Sequence, residues 1–265
     1  MSRIAVIAGQ GRLAPAVIAA LDDPLVYALD GFAPDVAATP FRLERLVPFL
    51  DSLIEAGVER VVFAGAIRRP RLDPEAFDPR TAQLVPRILG AMQSGDDAAL
   101  REVLKVFEEN DLTICGVDEL IPDLIPSEGV LAGTVSDADR RDADRAAAIL
   151  TGLGPFDIGQ GAVVAQGLCL AIETLPGTAA MLEFAAAHAG LRPNPNGARG
   201  VFYKAPKPDQ DRRVDLPTIG PDTVTQAAAA GLAGIVWQAG GVILLDRDEV
   251  VRRADAAGLF LWARA

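Results

Sequence analysis

An alternation of strand-like and helix-like segments over the first 117 residues is what most limits the folds open to this chain. "RIAVIAG" at 3 to 9 is a β-branched run closed by glycine, "GRLAPAVIAALDD" has helical spacing, and "LVYALD" at 25 to 30 reads as a second strand. Residues 40 to 57 repeat the helical pattern, with Leu43, Leu46, Phe49, Leu50, Leu53 and Ile54 on one stripe. "RVVFAGAI" at 60 to 67 is a continuous apolar strand of the kind that a parallel sheet buries on both faces. Asp96 and Asp97 open the helix "DDAALREVLKVFEEN", and "LTICGV" at 112 to 117 supplies a further strand. Such repetition predicts an α/β unit on a parallel sheet.

The pattern then changes. "IPDLIPSEGVLAGTVS" at 121 to 136 loses periodicity and gathers proline and glycine, and an acidic-basic helix follows to about 150. After it come two strand-length runs in "DIGQGAVVAQGLCLAIET", the helix "GTAAMLEFAAAHAG" and the strand "RGVFYKAP". Helix 221 to 230, strand "AGIVWQAG", a hairpin-like "GVILLD", helix "RDEVVRRADAAG" and a last strand "LFLWARA" complete the chain. At 265 residues two domains are the better expectation. The predicted division is an N-terminal domain at 1–133, a linker helix at 134–156 and a mixed α/β C-terminal domain at 157–265.

Several function classes drop out on composition. Lys and Arg number 25 against 36 Asp and Glu, a formal net charge of −11, which argues against a nucleic-acid partner and against a globally basic membrane face. Cys115 and Cys169 stand alone, without the spacing of a disulfide framework or a zinc knuckle, so a reducing cytoplasm fits best. The N-terminal "MSRIAVIAGQGRLAPAV" reads as strand, turn and helix and not as a signal peptide. No stretch reaches the roughly 20 apolar residues of a spanning helix. His188 is the only histidine, which excludes a histidine-based triad or a multi-histidine metal site.

Three clusters carry chemical meaning. Gly9 and Gly11 follow a strand and open a helix, and Asp30 ends the next strand where a ribose-binding acid stands in dinucleotide sites. Glycines there admit a phosphate to the positive helix end, or else serve only a tight turn. Gly95, Asp96 and Asp97 can place a nucleotide or metal, or simply cap a helix. The third cluster is "KAPKPDQDRRVDLPTIGP" at 204 to 221, where Lys204, Lys207, Arg212 and Arg213 alternate with Asp209, Asp211 and Asp215. A solvated charged loop is the ordinary reading. However, Pro206, Pro208 and Pro217 stiffen the backbone and lower the cost of holding charges in place. A rigid cationic loop with interleaved carboxylates suits a phosphate ester: cations neutralise its oxygens while a carboxylate holds a metal or orients water.

"DIGQGAVVAQGLCLAIE" (157–173), "KAPKPDQDRRVDLPTIG" (204–220) and "AGLAGIVWQAGGVILLDRDEV" (230–250) resemble the DUF1009-type UDP-2,3-diacylglucosamine pyrophosphatases of lipid A biosynthesis. "IAGQGRLAP" at 7–15 and "SGDDAALREVL" at 94–104 are similar to the same family, so the likeness spans nearly the whole chain. It implies a Rossmann-like N-terminal domain, a distinct α/β catalytic domain, and a lipid-linked UDP-sugar lying between them. The implied reaction is Mg²⁺-dependent hydrolysis of the substrate pyrophosphate to UMP and 2,3-diacylglucosamine 1-phosphate. It also implies a cytoplasmic protein, peripheral to the inner membrane, with room for a homodimer.

On this resemblance Asp215, the acid of "VDLPT", binds metal or activates water. Lys204, Lys207 and Arg213 then neutralise pyrophosphate oxygens and Thr218 donates a hydrogen bond, while Gly9, Gly11, Asp96, Asp97, Gln160, Glu173 and Thr178 are candidate substrate contacts. One departure stands out: the family pattern Gly-Thr-Asp-Ala-Met is here Gly177-Thr178-Ala179-Ala180-Met181, which lacks a carboxylate. Two rival readings follow, an NAD(P)-dependent oxidoreductase using Gly9, Gly11 and Asp30, and a nucleotide-sugar or lipid-binding module that has lost turnover through Ala179.

Overall fold

The computed structural model describes residues 3–67, 70–93, 95–208 and 210–265. They form two units divided between Pro122 and Asp123.

The N-terminal unit runs β1 (Arg3–Ala8), α1 (Leu13–Ala20), β2 (Leu25–Leu29), β3 (Thr39–Phe41), α2 (Leu46–Glu55) and β4 (Val58–Ala64). It continues through α3 (Pro79–Ala82), α4 (Val85–Met92), α5 (Asp96–Glu108), β5 (Thr113–Cys115) and α6 (Val117–Leu120). Its five strands are all parallel, in the order β3-β2-β1-β4-β5, a doubly wound order whose direction reverses between β1 and β4. Ala5, Val6, Ile7 and Ala8 of the central strand are buried, as a strand covered on both faces requires. Leu46, Phe49, Leu50 and Leu53 form the buried stripe of α2, while Ile54 stays half exposed at its margin. Residues 40 and 41, expected within a helix, instead belong to the edge strand β3. Pro40 lacks an N–H, which an edge position tolerates.

The C-terminal unit runs β6 (Gly129–Ala132), α7 (Asp137–Leu153), β7 (Gly161–Ala165), β8 (Leu168–Ile172), α8 (Gly177–Ala187) and β9 (Val201–Lys204). After these come β10 (Thr218–Ile219), α9 (Pro221–Ala229), β11 (Gly234–Gln238), β12 (Ile243–Leu244), α10 (Arg247–Ala257) and β13 (Phe260–Arg264). Six strands make a mixed sheet in the order β6-β13-β11-β9-β7-β8, with β9, β11 and β13 parallel. β6 runs antiparallel to β13, and β7 runs antiparallel to β8 and β9.

Three expectations change here. The division falls before residue 133 because β6, read from sequence as loop, pairs with β13 of the C-terminal sheet. α7 is a packed layer rather than a linker: Ala143, Ala146 and Leu150 bury against Ala162, Val164, Val201 and Tyr203. Its start is fixed by a capping box, in which Asp139 N–H donates to Ser136 Oγ at 3.3 Å and Ser136 N–H to Asp139 Oδ2 at 2.9 Å. Finally, "GVILLD" forms no hairpin. Ile243 and Leu244 pair in parallel with Thr218 and Ile219 in a separate two-stranded sheet.

Strand alternation places the site. Val201 and Tyr203 of β9 face α7, whereas Phe202 faces the opposite layer with Met181, Leu182 and Ala185 of α8. Lys204 follows Phe202 by two and so takes the α8 face, its Nζ 5.9 Å from the Phe202 ring centroid.

Candidate functional site

Lys204, at the end of β9, has only 5% of its surface exposed. Its Nζ donates to Thr178 Oγ1 in the first turn of α8 at 2.6 Å and stands 3.6 Å from Glu173 Oε2, just beyond β8. Burial pushes the ammonium below the ordinary lysine range, while the carboxylates of Glu173 and Asp215 oppose that shift. One buried cation thus faces two acids. Glu173 Oε2 is itself buried, and among the described residues no hydrogen-bond donor reaches it.

Asp215 is held from the loop. The Gln210 side-chain amide donates to both the carbonyl and Oδ2 of Asp215, and Gln160 Nε2 donates to the same carbonyl at 3.4 Å. Gln160 Nε2 also donates to Gln210 Oε1 at 2.8 Å, and the Gln160 carbonyl accepts from Ala205 N–H at 3.0 Å. Gln160, Glu173, Thr178, Lys204 and Asp215 therefore come together.

The other loop residues have partners of their own. Lys207 Nζ pairs with Asp157 Oδ1. Arg213 donates from Nε to Asp211 Oδ1 at 3.0 Å and from Nη2 to Asp211 Oδ2 at 2.7 Å. Arg212 donates to the Gly240 carbonyl, and Thr218 Oγ1 to the Leu216 carbonyl at 3.5 Å. Pro206 packs beside Gly241 and Pro208 beside Gly154, so the prolines brace the loop on two sides. Asp209 lies outside the described residues.

The remaining candidates belong to the N-terminal unit. Gly9 N–H donates to Ala64 O at 2.8 Å and Gln10 N–H to Ala66 O at 2.9 Å, so both amides are used inside the turn. A Cβ on Gly9 would stand 2.6 Å from the Gly65 carbonyl carbon, which makes close approach the reason for glycine. Gly11, at φ +91°, has the backbone that favours glycine. Asp30 directly follows β2, where its charge acts on Arg42. Asp97 pairs with Arg101 one helical turn on, at 2.8 Å, and the Asp96 side chain lies outside what is described.

Two residues of the site escaped the sequence reading. Gln210 sits inside the quoted loop but is neutral, and a search for charges passes over it. Asp157 lies outside every charge cluster of the sequence, and its φ of +56° turns the chain so that it meets Lys207.

No group of three or more His, Cys, Asp or Glu side chains with metal-holding geometry occurs among the described residues. The oxygen donors at hand, Glu173 and Asp215, fit a different mode of binding. Mg²⁺ is commonly held by one or two carboxylates together with substrate phosphates and not by a protein cage. No helix among the described residues is long and apolar enough to cross a membrane.

A parallel-sheet unit followed by a mixed-sheet unit that carries a buried lysine, two carboxylates and a braced cationic loop defines a two-domain α/β protein with its polar site in the C-terminal half. The family model described as the LpxI N-terminal domain matches residues 3–124, and that described as the LpxI C-terminal domain matches 127–262. The chain belongs to the LpxI family. It is 43% identical over 208 residues to a protein of Caulobacter vibrioides (strain ATCC 19089 / CIP 103742 / CB 15) named UDP-2,3-diacylglucosamine pyrophosphatase LpxI, covering 77% of this chain and 74% of the relative.

Proposed function

We propose that this chain hydrolyses the pyrophosphate bond of UDP-2,3-diacylglucosamine, giving UMP and 2,3-diacylglucosamine 1-phosphate. The observation that carries the reading is the meeting of buried Lys204 with Asp215 and Glu173, inside the matched C-terminal region. Hydrolysis of a phosphoanhydride needs compensation for charge developing on phosphate oxygens and a group to orient or deprotonate water.

In this reading Lys204 sets a fixed positive charge at the end of β9, desolvated and therefore stronger than it would be in water. Lys207 and Arg213, now paired with Asp157 and Asp211, turn part of their charge to the substrate phosphates. Thr218 donates its hydroxyl, and Asp215 accepts a proton from the attacking water or contributes a carboxylate oxygen to Mg²⁺. Asp215 and Glu173 would be the carboxylates to hold Mg²⁺, which when bound would supply further neutralisation of phosphate charge.

The substrate carries its own acyl chains, each buried CH₂ contributing roughly 0.8 kcal/mol, which supports a protein that takes it from the inner face of the membrane. The test is UMP release from UDP-2,3-diacylglucosamine with and without Mg²⁺. Metal-dependent release supports the reading; saturable binding of the diacyl sugar without UMP moves it to the binding module, and nicotinamide binding moves it to the oxidoreductase.

A further inference from the structure

We propose that Gln210 is a positioning residue that holds the Asp215 carboxylate in its working orientation. This rests on the pyrophosphatase reading and adds a residue to it.

Gln210 is 93% withdrawn from solvent, at 7% exposure, and all four hydrogen-bonding positions of its amide are used. Oε1 accepts from Lys207 N–H at 2.9 Å and from Gln160 Nε2 at 2.8 Å. Nε2 donates to the Asp215 carbonyl and to Asp215 Oδ2. The amide has only one possible sense, because a backbone N–H can only donate and a backbone carbonyl can only accept. Its N–H₂ end must face Asp215.

Two consequences follow. The side chain and main chain of Asp215 are tied to one group, so χ1 of the aspartate cannot change without breaking a buried bond. The same amide reads the backbone at Lys207 and the side chain of Gln160, so the start of the loop, the strand entry before β7 and the acid share one junction. Glutamate at this position would turn an oxygen toward both Asp215 acceptors, and methionine would fill the space without bonding either end. The neutral amide is the residue type that satisfies the junction.

The test measures kcat and KM for UMP release by the full chain, with thermal unfolding alongside, for wild type, Gln210→Met, Gln210→Glu, Gln160→Met and the Gln160→Met/Gln210→Met double variant. Loss of orientation at a reacting group falls on kcat, and a displacement of about 1 Å costs on the order of 100-fold. Gln210→Met is expected to lower kcat by about 10- to 100-fold with KM within about threefold, and Gln210→Glu by more. Gln160→Met is expected to lower kcat by about 3- to 10-fold with the same split, and the double variant to match Gln210→Met, since residues of one network are not additive.

A folded Gln210→Met enzyme with kcat within about threefold of wild type, or a loss carried by KM, overturns the inference. Should Gln210→Met fail to fold, unchanged kcat in Gln160→Met overturns it. If wild type itself releases no UMP, the pyrophosphatase reading falls and takes this inference with it. That outcome is recognised by the inactive wild type.

Discussion

Lys204 Nζ lies 2.6 Å from Thr178 Oγ1, a bond that ties the end of β9 to the first turn of α8 across 26 residues of sequence. The lysine is thereby fixed inside the protein at a point where Glu173 and Asp215 both feel its charge. An ammonium so placed is costly to desolvate, and its acid partners offset that cost only while the pairing is intact.

Lys204→Met keeps the side-chain length and removes the charge. Turnover should fall by about 100- to 1,000-fold, the usual loss when one fixed donor to a developing oxyanion is removed. Stability should fall as well, by about 3–5 kcal/mol, because Glu173 is left buried without its cation. Adding Glu173→Gln should restore part of the stability and none of the activity. Denaturant unfolding and UMP release, read on the single and double variants, separate the two effects.

Asp215→Asn preserves shape and removes the charge and the proton-accepting oxygen. A general base or metal-binding acid of this kind contributes about 100- to 10,000-fold, so kcat should fall by that order. The acid is not a main binding contact, so KM should hold within a few-fold. A fall confined to KM would move Asp215 from the chemistry to substrate binding.

How legible all this was in the sequence depended on the kind of signal. The parallel sheet of the N-terminal unit could be read because doubly covered strands such as β1 are apolar from Ile4 onward. β6 could not: it has four residues, sits at an edge, and leaves Val130 half exposed. α7 passed for a linker because its buried face mixes Asp139 and Asp142 with Ala143, Ala146 and Leu150, which gives a weak apolar stripe. The pairing of β10 with β12 involves two residues on each strand and no turn chemistry of its own. At the site, charge and proline drew attention to 204 to 221, and the motif likeness added Gln160, Glu173 and Thr178. Gln210 was invisible to both because its role comes from burial and from what its amide touches.

Gly159 lies at φ +58°, and a Cβ there would stand 2.0 Å from the Glu173 carbonyl oxygen. Gly159→Ala combines a disfavoured backbone with a clash against rigid main chain, so it should cost about 2–4 kcal/mol and displace Glu173 from Lys204. The check is denaturant unfolding with UMP release on the same preparation. A loss below about 0.5 kcal/mol would mean that the segment before β7 yields easily.

The N-terminal unit has its own pH dependence through Glu44, a buried acid that accepts from Asp73 N–H at 2.8 Å and pairs with Arg42 at 3.4 Å. Burial alone would raise its pKa, but the Asp73 and Glu44 backbone donors and Arg42 outweigh burial and hold it below 4.5. A folded-state pKa below the unfolded value gives stability that is present above the unfolded pKa and lost as pH falls through the folded one. Glu44→Gln should therefore be less stable at neutral pH, by about 1.5–3 kcal/mol, and should flatten the decline in Tm below about pH 4.5. Parallel Tm curves for wild type and variant across pH 3 to 7 would show that Glu44 is not the titrating group.

Ala179, the position at which the sequence resemblance implies a missing aspartate, is exposed in the first turn of α8, a turn with no acidic residue. A carboxylate there would face solvent at the positive end of the helix. Ala179→Asp should therefore stabilise by about 0.3–1 kcal/mol and leave turnover within about twofold. The neighbouring Thr178 makes the experiment informative, because its hydroxyl already holds Lys204. A tenfold or larger rise in Mg²⁺-dependent UMP release would instead mean that the missing acid reaches the reacting phosphates with its metal, and that this chain works below its family's capacity. Unchanged turnover with a small gain in Tm would assign the family's aspartate to the helix end, leaving Asp215 and Glu173 as the acids of the site.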